Sequence, residues 1–165
     1  MNHIGHKTLA DPIVVAGFQI RTTNARELSG ESQIRPLWQR FFAENLAAQI
    51  PNRTSDSLYT VYSNYLTDEN GAYDYLLGAP VSGIGHLPEG MTYAALATGE
   101  YAVVTTEKGP VEQVMQQAWR RIWTTTPEEL GGKRAFLTDY EIYDRHAADP
   151  TNAQVEIHLG LEAAG

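Results

Sequence analysis

The chain has 165 residues, enough for one compact domain, and its 42% hydrophobic and 19% charged content is typical of a globular protein. Twenty acidic residues against twelve basic residues give a net charge of −8, which disfavours direct binding to nucleic acid and attracts cations. The absence of cysteine excludes a disulfide framework, a thiolate zinc site and a thiol nucleophile. The sequence has neither a signal peptide nor an apolar run that could span a membrane, so we expect a cytoplasmic protein with no membrane partner.

The spacing of apolar residues predicts seven strands and two helices. Helices are indicated where apolar side chains recur three and four residues apart, and strands where short β-branched or aromatic runs lie between turn signals such as Asn70-Gly71. In chain order we predict a strand over residues 12–23, a helix from Ile34 to about Ile50 with Ser32 as its N-cap, strands over 58–66, 72–78, 91–96 and 100–106, a helix over 111–123, and strands over 135–143 and 154–162. Residues 1–10 are expected to form a loose tail, and the glycine- and proline-rich loop over 79–90 to join two halves.

An internal repeat at a spacing of 81 residues relates these halves. Trp38 matches Trp119, the run Tyr59-Thr-Val-Tyr62 matches Tyr140-Glu-Ile-Tyr143, and strands 73–78 and 154–159 keep the same register. We therefore predict a single α+β domain over residues 1–165, built of two pseudo-repeats over about 12–80 and 91–162. Each repeat is a β-α-β-β unit, so the domain has an antiparallel sheet of seven or eight strands, two main helices on one face, and a ligand groove between the halves.

Glu141 interrupts this repeat, because the first half has Thr60 at the matching position. A carboxylate between two tyrosines is typical of a cation receptor. The alternative is an ordinary acidic residue at a half-solvated edge of the sheet. Strand alternation leaves both open, since it puts Glu141 on one face with both Asp139 and Tyr143. Core packing is likewise the alternative for Trp38 and Trp119.

Motifs for catalysis, metals and cofactors are missing from the sequence. His86, His146 and His158 do not have the spacing of metal ligands, and we predict no metal and no cofactor. The run Asp144-Arg-His146 follows a predicted strand and is interpreted as a solvated turn. No nucleophile elbow or glycine-rich phosphate loop is present.

Six short motifs in the second half carry a family resemblance. In order, they are Gly90-Met-Thr-Tyr-Ala-Ala, Gly99-Glu-Tyr-Ala-Val-Val, Gly109-Pro110, Ala118-Trp-Arg-Arg-Ile-Trp123, Tyr140-Glu-Ile-Tyr143 and Val155-Glu-Ile-His-Leu159. Together they resemble the GyrI-like family, which comprises the effector-binding domains of AraC-type transcription regulators and stand-alone integron-cassette proteins. The resemblance covers about residues 12–162.

The resemblance implies a small-molecule binding protein rather than an enzyme. Its groove would take bulky cationic and aromatic compounds of the multidrug type over a glutamate, which maps to Glu141. The implied ligand-binding wall residues are Tyr101, Trp119 and Tyr143, with Trp38 and Tyr59 from the first half. Regulators of the family carry a DNA-binding module in front of this domain, whereas only eleven residues precede Pro12 here, so a stand-alone sensor or sequestering protein is implied.

Two other functions follow from the same resemblance. One is hydrolysis of reactive cyclopropane-bearing aromatic compounds, with Glu141 as a general base. The other is a gyrase-inhibitor-like interaction with a protein partner through the acidic surface. A homo-oligomer or a protein partner is left open.

Overall fold

Eight strands form one antiparallel sheet in the computed structural model, which describes residues 3–163. They are β1 (His3–Leu9), β2 (Val14–Thr22), β3 (Leu58–Ser63), β4 (Tyr73–Val81), β5 (Thr92–Ala95), β6 (Gly99–Thr105), β7 (Arg134–Tyr143) and β8 (Glu156–Leu161). Their order across the sheet is β1-β6-β8-β7-β3-β4-β2-β5. The predicted α+β class and the antiparallel sheet are confirmed.

Four helices occur in the described residues: α1 (Asn24–Leu28), α2 (Ile34–Ala43), α3 (Val111–Thr124) and α4 (Pro127–Leu130), with 3-10 turns at Leu46–Gln49 and Arg145–Ala147. The two long helices, α2 and α3, lie on one face of the sheet. Helix α2 ends earlier than predicted because Asn45 adopts a left-handed conformation, with φ +50°, which asparagine tolerates better than most residues. Its N-cap is Gln33 rather than Ser32, although the Ser32 hydroxyl still accepts the backbone N–H of Arg35 at 3.2 Å.

The prediction of a loose tail is wrong for residues 3–9, which form β1. This strand pairs with β6 from His3 opposite Thr105 to Leu9 opposite Gly99. Its sequence, HIGHKTL, lacks the alternation of apolar and polar residues that predicts a strand. Backbone hydrogen bonds to the edge of β6, rather than burial of side chains, therefore stabilise β1. Met1 and Asn2 lie outside the described residues.

The helix-covered face contains two adjoining cores. Under α2, Phe41 packs with Phe18 and Leu77 of the first half of the sheet. Under α3, the buried side chains come from the second half; they are Ala102, Val104, Met115, Ala118, Ile122, Leu130, Val155, Ile157 and Leu159. Within residues 3–163, none of the helices combines the length and apolar composition needed to cross a membrane.

A third core lies on the opposite face, at the centre of the sheet. It contains Val61, Leu76 and Tyr140, and it is closed by the chain segments that lead into β2 and out of β5. In these segments the Leu96 N–H donates to the Ile13 carbonyl at 2.8 Å. The sheet is therefore buried on both faces near its middle.

The strand order has an approximate two-fold arrangement about its centre. From the central pair β3 and β7, the order runs β3-β4-β2-β5 in one direction and β7-β8-β6-β1 in the other. Strand β1 thus occupies the position that corresponds to β5, and Thr60 lies directly opposite Glu141, the residue 81 positions later. In β4 and β8, the strands next to the central pair, the predicted 81-residue register is wrong by one. Leu77 pairs with Thr60 and Ile157 pairs with Glu141, so Leu77 corresponds to Ile157, which lies 80 residues later. Duplication of the chain stays a prediction.

Candidate functional site

A groove of about 1320 Å³ lies over the centre of the sheet, between α2 and α3. Nine aromatic side chains line it, and one of its charged groups, Glu141, projects from the sheet beneath them. The aromatic residues that line it are Trp38, Phe42, Tyr62, Tyr65, Tyr73, Tyr75, Trp119, Trp123 and Tyr143. A large concave pocket with an aromatic lining and a few convergent polar groups is typical of a small-molecule site.

The Glu141 carboxylate accepts four hydrogen bonds from neutral donors. The Thr60 hydroxyl and the Tyr143 hydroxyl donate to Oε1 at 2.7 and 2.8 Å. The Tyr62 hydroxyl and the Trp119 indole N–H donate to Oε2, both at 2.8 Å. The sheet dictates this cluster: Thr60 is the cross-strand partner of Glu141, and the two tyrosines lie two residues further along β3 and β7 on the same face.

This carboxylate is buried without a cation. Glu141 is 1% exposed, and among residues 3–163 no Lys, Arg or His side chain forms an ion pair with it. Burial and the negative charge of Glu141 raise the pKa of both Tyr62 and Tyr143 well above the ordinary value, so these hydroxyls stay protonated and act as donors. Among the described residues, the negative charge of Glu141 is therefore stabilised by neutral dipoles and has no ion-pair partner, although the side chains of Arg35, Arg120, Arg134 and Arg145 also line the groove.

Asp139 provides a contrast on the same strand and the same face. It is fully buried, but the Arg134 Nη2 atom lies 2.6 Å from its Oδ2 atom. The Tyr65 hydroxyl also donates to Oδ2, and the Gly160 N–H donates to Oδ1 at 2.8 Å. Asp139 is thus a paired structural carboxylate, whereas Glu141 is not paired.

Two sets of aromatic rings flank Glu141 in the groove. In the first set, which we call the Trp38 wall, the Trp38 ring packs edge-on against Tyr143 at 4.8 Å and near Phe42 at 5.8 Å between ring centroids. In the second set, the Trp119 wall, the Trp119 ring lies 5.2 Å from Tyr62 and 6.4 Å from Trp123. The indole of Trp38 donates to the Tyr75 hydroxyl at 2.8 Å, whereas that of Trp119 donates to the carboxylate itself.

Four of the six predicted ligand-binding residues lie together in this groove, namely Glu141, Trp119, Tyr143 and Trp38. The other two, Tyr59 and Tyr101, lie on the opposite face of the sheet. Tyr59 stacks on Tyr140 at 5.9 Å, and the Tyr101 hydroxyl donates to the Ala97 carbonyl at 2.6 Å. Strand alternation explains Tyr59, since it precedes the groove-facing Thr60 by one residue.

Sequence reasoning missed Tyr62, Thr60 and Tyr75. The repeat contained the signal for Tyr62, because Tyr62 is the counterpart of Tyr143 at the spacing of 81 residues. In the sequence, Thr60 stands out only as the uncharged counterpart of Glu141. It donates a hydrogen bond to Glu141 because β3 and β7 are neighbouring strands, and the sequence did not show that pairing.

Comparisons with solved structures show the same fold. The integron cassette protein VCH_CASS2 of Vibrio cholerae is 27% identical, with a TM-score of 0.71 over 98% of this chain and 95% of that one. SAV2435, solved bound to tetraphenylphosphonium, superposes with a TM-score of 0.76 at 18% identity, over 98% of this chain and 94% of that one.

Comparisons of sequence identify the family. YobU of Bacillus subtilis (strain 168), a proposed transcriptional regulator, is 33% identical over 162 residues, which are 98% of each chain. The family model of integron-associated effector binding proteins matches residues 8–161. The resemblance predicted from the motifs is thus confirmed, and this chain belongs to the family of integron-associated effector binding proteins.

Proposed function

We propose that this protein binds organic cations with aromatic groups in the groove between α2 and α3, and that Glu141 recognises their charge. The observation that carries the proposal is a carboxylate that is 1% exposed, has four neutral hydrogen-bond donors and has no cationic partner among the described residues. A cation that enters the groove compensates this charge, and the aromatic faces contribute about 0.5–2 kcal/mol per contact. The tetraphenylphosphonium bound by SAV2435, which shares the fold, supports this ligand class.

The hydrogen bonding of Glu141 favours cations that have no N–H groups. A carboxylate has about four lone-pair positions, and its four donors here use that capacity. An ammonium ion with N–H donors would have to displace one of them. A phosphonium or quaternary ammonium ion needs only proximity to the negative charge, and its desolvation costs less because its charge is spread or shielded.

The same hydrogen bonds disfavour Glu141 as a general base. A base must have a lone pair directed at the water that it activates. Both oxygens of Glu141 already accept two hydrogen bonds each, so proton abstraction would first require the loss of Thr60, Tyr62, Trp119 or Tyr143 as a donor. Binding therefore explains the arrangement better than hydrolysis.

In the cell we propose a role as a sensor or sequestering protein for such ligands. The family is defined by effector binding, and the relative YobU is a proposed regulator. The net charge of −8 favours a role without direct contact to nucleic acid.

Calorimetric titration with tetraphenylphosphonium and with the neutral triphenylphosphine oxide tests the proposal. We expect binding of the cation and little binding of the neutral compound. In Glu141→Gln the affinity for the cation should fall by roughly 2–5 kcal/mol, because the buried charge that faces the ligand is lost.

Glu112→Gln is the matched control for this titration. Glu112 also lines the groove, but its side chain is 64% exposed and pairs with Arg35, so removal of its charge should change the affinity by less than about 0.5 kcal/mol. Equal affinities of wild type and Glu141→Gln for tetraphenylphosphonium, with the fold intact, would refute the role of Glu141.

A further inference from the structure

The two aromatic walls are equivalent by position in the repeat. Trp38 and Trp119 lie 81 residues apart, as do Tyr62 and Tyr143, and the same spacing separates Phe42 from Trp123. Each wall takes two rings from the helix of one half and one tyrosine from the central strand of the other half. All six rings line the groove.

The charge of Glu141 lies between these walls. Thr60 and Glu141 are cross-strand partners at the centre of the sheet, so the carboxylate is located where the two halves meet. Both walls reach it: the hydroxyl of Tyr143, from the Trp38 wall, donates to Oε1, and the hydroxyl of Tyr62, from the Trp119 wall, donates to Oε2. A cation held at Glu141 is therefore adjacent to both walls at once.

We propose that the groove is specific for cations that have an aromatic group on each of two sides of the charge, one for each wall. This inference rests on the proposed function and narrows its ligand class. A ligand with one aromatic group leaves the rings of one wall in contact with water, whereas a second aromatic group buries them and adds ring-to-ring contacts. Diaryl, triaryl and tetraaryl onium or carbocationic compounds have this architecture.

Three quaternary ammonium probes with the same charge test it: tetramethylammonium, benzyltrimethylammonium and dibenzyldimethylammonium. Calorimetric titrations of wild type should show affinity rising at each step. The second benzyl group should raise the affinity about tenfold, which corresponds to about 1.4 kcal/mol from its contacts with the second wall. Because this series uses the unaltered protein, its outcome does not depend on the folding of any variant.

Variants of single walls then distinguish two-sided binding from a larger hydrophobic area. Phe42→Leu shortens the Trp38 wall at a side chain that is 65% exposed, and Trp123→Leu shortens the Trp119 wall. Either variant should cancel most of the gain from the second benzyl group. The affinity for benzyltrimethylammonium should fall by at most about twofold, the statistical factor for the loss of one of two equivalent places.

Failure of this inference can be separated from failure of the proposed function. If tetraphenylphosphonium and the benzyl probes bind but the second benzyl group adds nothing, or if only one wall affects it, the two-sided specificity is wrong and cation binding stands. If no cation binds, both are wrong.

Discussion

Asp139 and Glu141 are two buried carboxylates on one face of one strand, two residues apart, yet their surroundings differ. Asp139 has the guanidinium of Arg134 at 2.6 Å, and its interactions tie the start of β7 to β8 and to the loop after β3. Glu141 has four neutral donors and lies in the groove. Burial alone therefore does not distinguish the two carboxylates; the presence of a cationic partner at Asp139 and the absence of one at Glu141 among the described residues does, and this difference supports the proposed role of Glu141.

The largest expected effect separates the two carboxylates by stability. Asp139→Asn leaves the buried Arg134 charge without its partner and should lower the free energy of unfolding by about 3–5 kcal/mol. Glu141→Gln leaves no cation unpaired and should cost about 1–3 kcal/mol, because one amide group cannot accept all four hydrogen bonds. Urea unfolding at pH 7, followed by circular dichroism, measures both.

The affinity for tetraphenylphosphonium should change in the reverse order. It should fall in Glu141→Gln and stay within about 0.5 kcal/mol of wild type in folded Arg134→Met/Asp139→Asn, which removes both charges of the ion pair and so leaves no uncompensated Arg134 charge in the groove. The double variant Arg134→Met/Asp139→Asn should recover part of the stability. Equal losses of stability in the two single variants would contradict the contrast between a paired and an unpaired carboxylate.

A smaller effect should distinguish the two tryptophans. Trp119 donates to the charged carboxylate, and Trp38 donates to the neutral Tyr75 hydroxyl. Trp119→Phe and Trp38→Phe remove a similar volume, but a hydrogen bond to a charged acceptor is worth about 1.5–3 kcal/mol against about 0.5–1.5 kcal/mol for a neutral one. We therefore expect Trp119→Phe to be the less stable by about 1 kcal/mol in thermal unfolding; the opposite order would indicate that the carboxylate does not depend on this donor.

The sequence allowed the central strands and helices to be predicted because their apolar patterns are regular. The helix at Val111–Thr124 and the hairpin around Asn70-Gly71 follow from local spacing and turn chemistry, and both are found. Strand β1 was missed because edge pairing depends on a partner 90 or more residues away, which no local pattern in HIGHKTL indicates. Helix α4 was missed although Thr126 and Glu129 form a capping box, since four residues leave no apolar period to detect.

The candidate site was predictable in its charge and not in its geometry. The break in the repeat singled out Glu141, but its orientation required the register of β3 against β7, which places Thr60 opposite it. Alternation along β3 places Tyr59 on the face opposite Tyr62, and Tyr101 of β6 belongs to the core on that opposite face, so neither Tyr59 nor Tyr101 lines the groove. Positions that match in two repeats are equivalent in fold, and only strand pairing shows which of them face the same cavity.

The smallest expected effect comes from His158, whose titration sets the pH range in which the stabilities of the Asp139 and Glu141 variants can be compared. His158 is buried against Tyr140, with ring centroids 4.3 Å apart, on the face opposite the groove. Burial lowers the pKa of His158, and the nearby Glu156 carboxylate opposes this only in part. In the unfolded chain histidine titrates near pH ~6.5, so the unfolded state takes up a proton before the folded state does. The stability that is present above about pH 6.5 is therefore lost as the pH falls below it.

The variant His158→Phe tests this pH dependence, because it keeps the stacked ring and removes the titration. Urea unfolding between pH 7.5 and 5 should show a shallower loss of stability in this variant than in wild type. Parallel profiles would mean that the acid sensitivity belongs to groups other than His158.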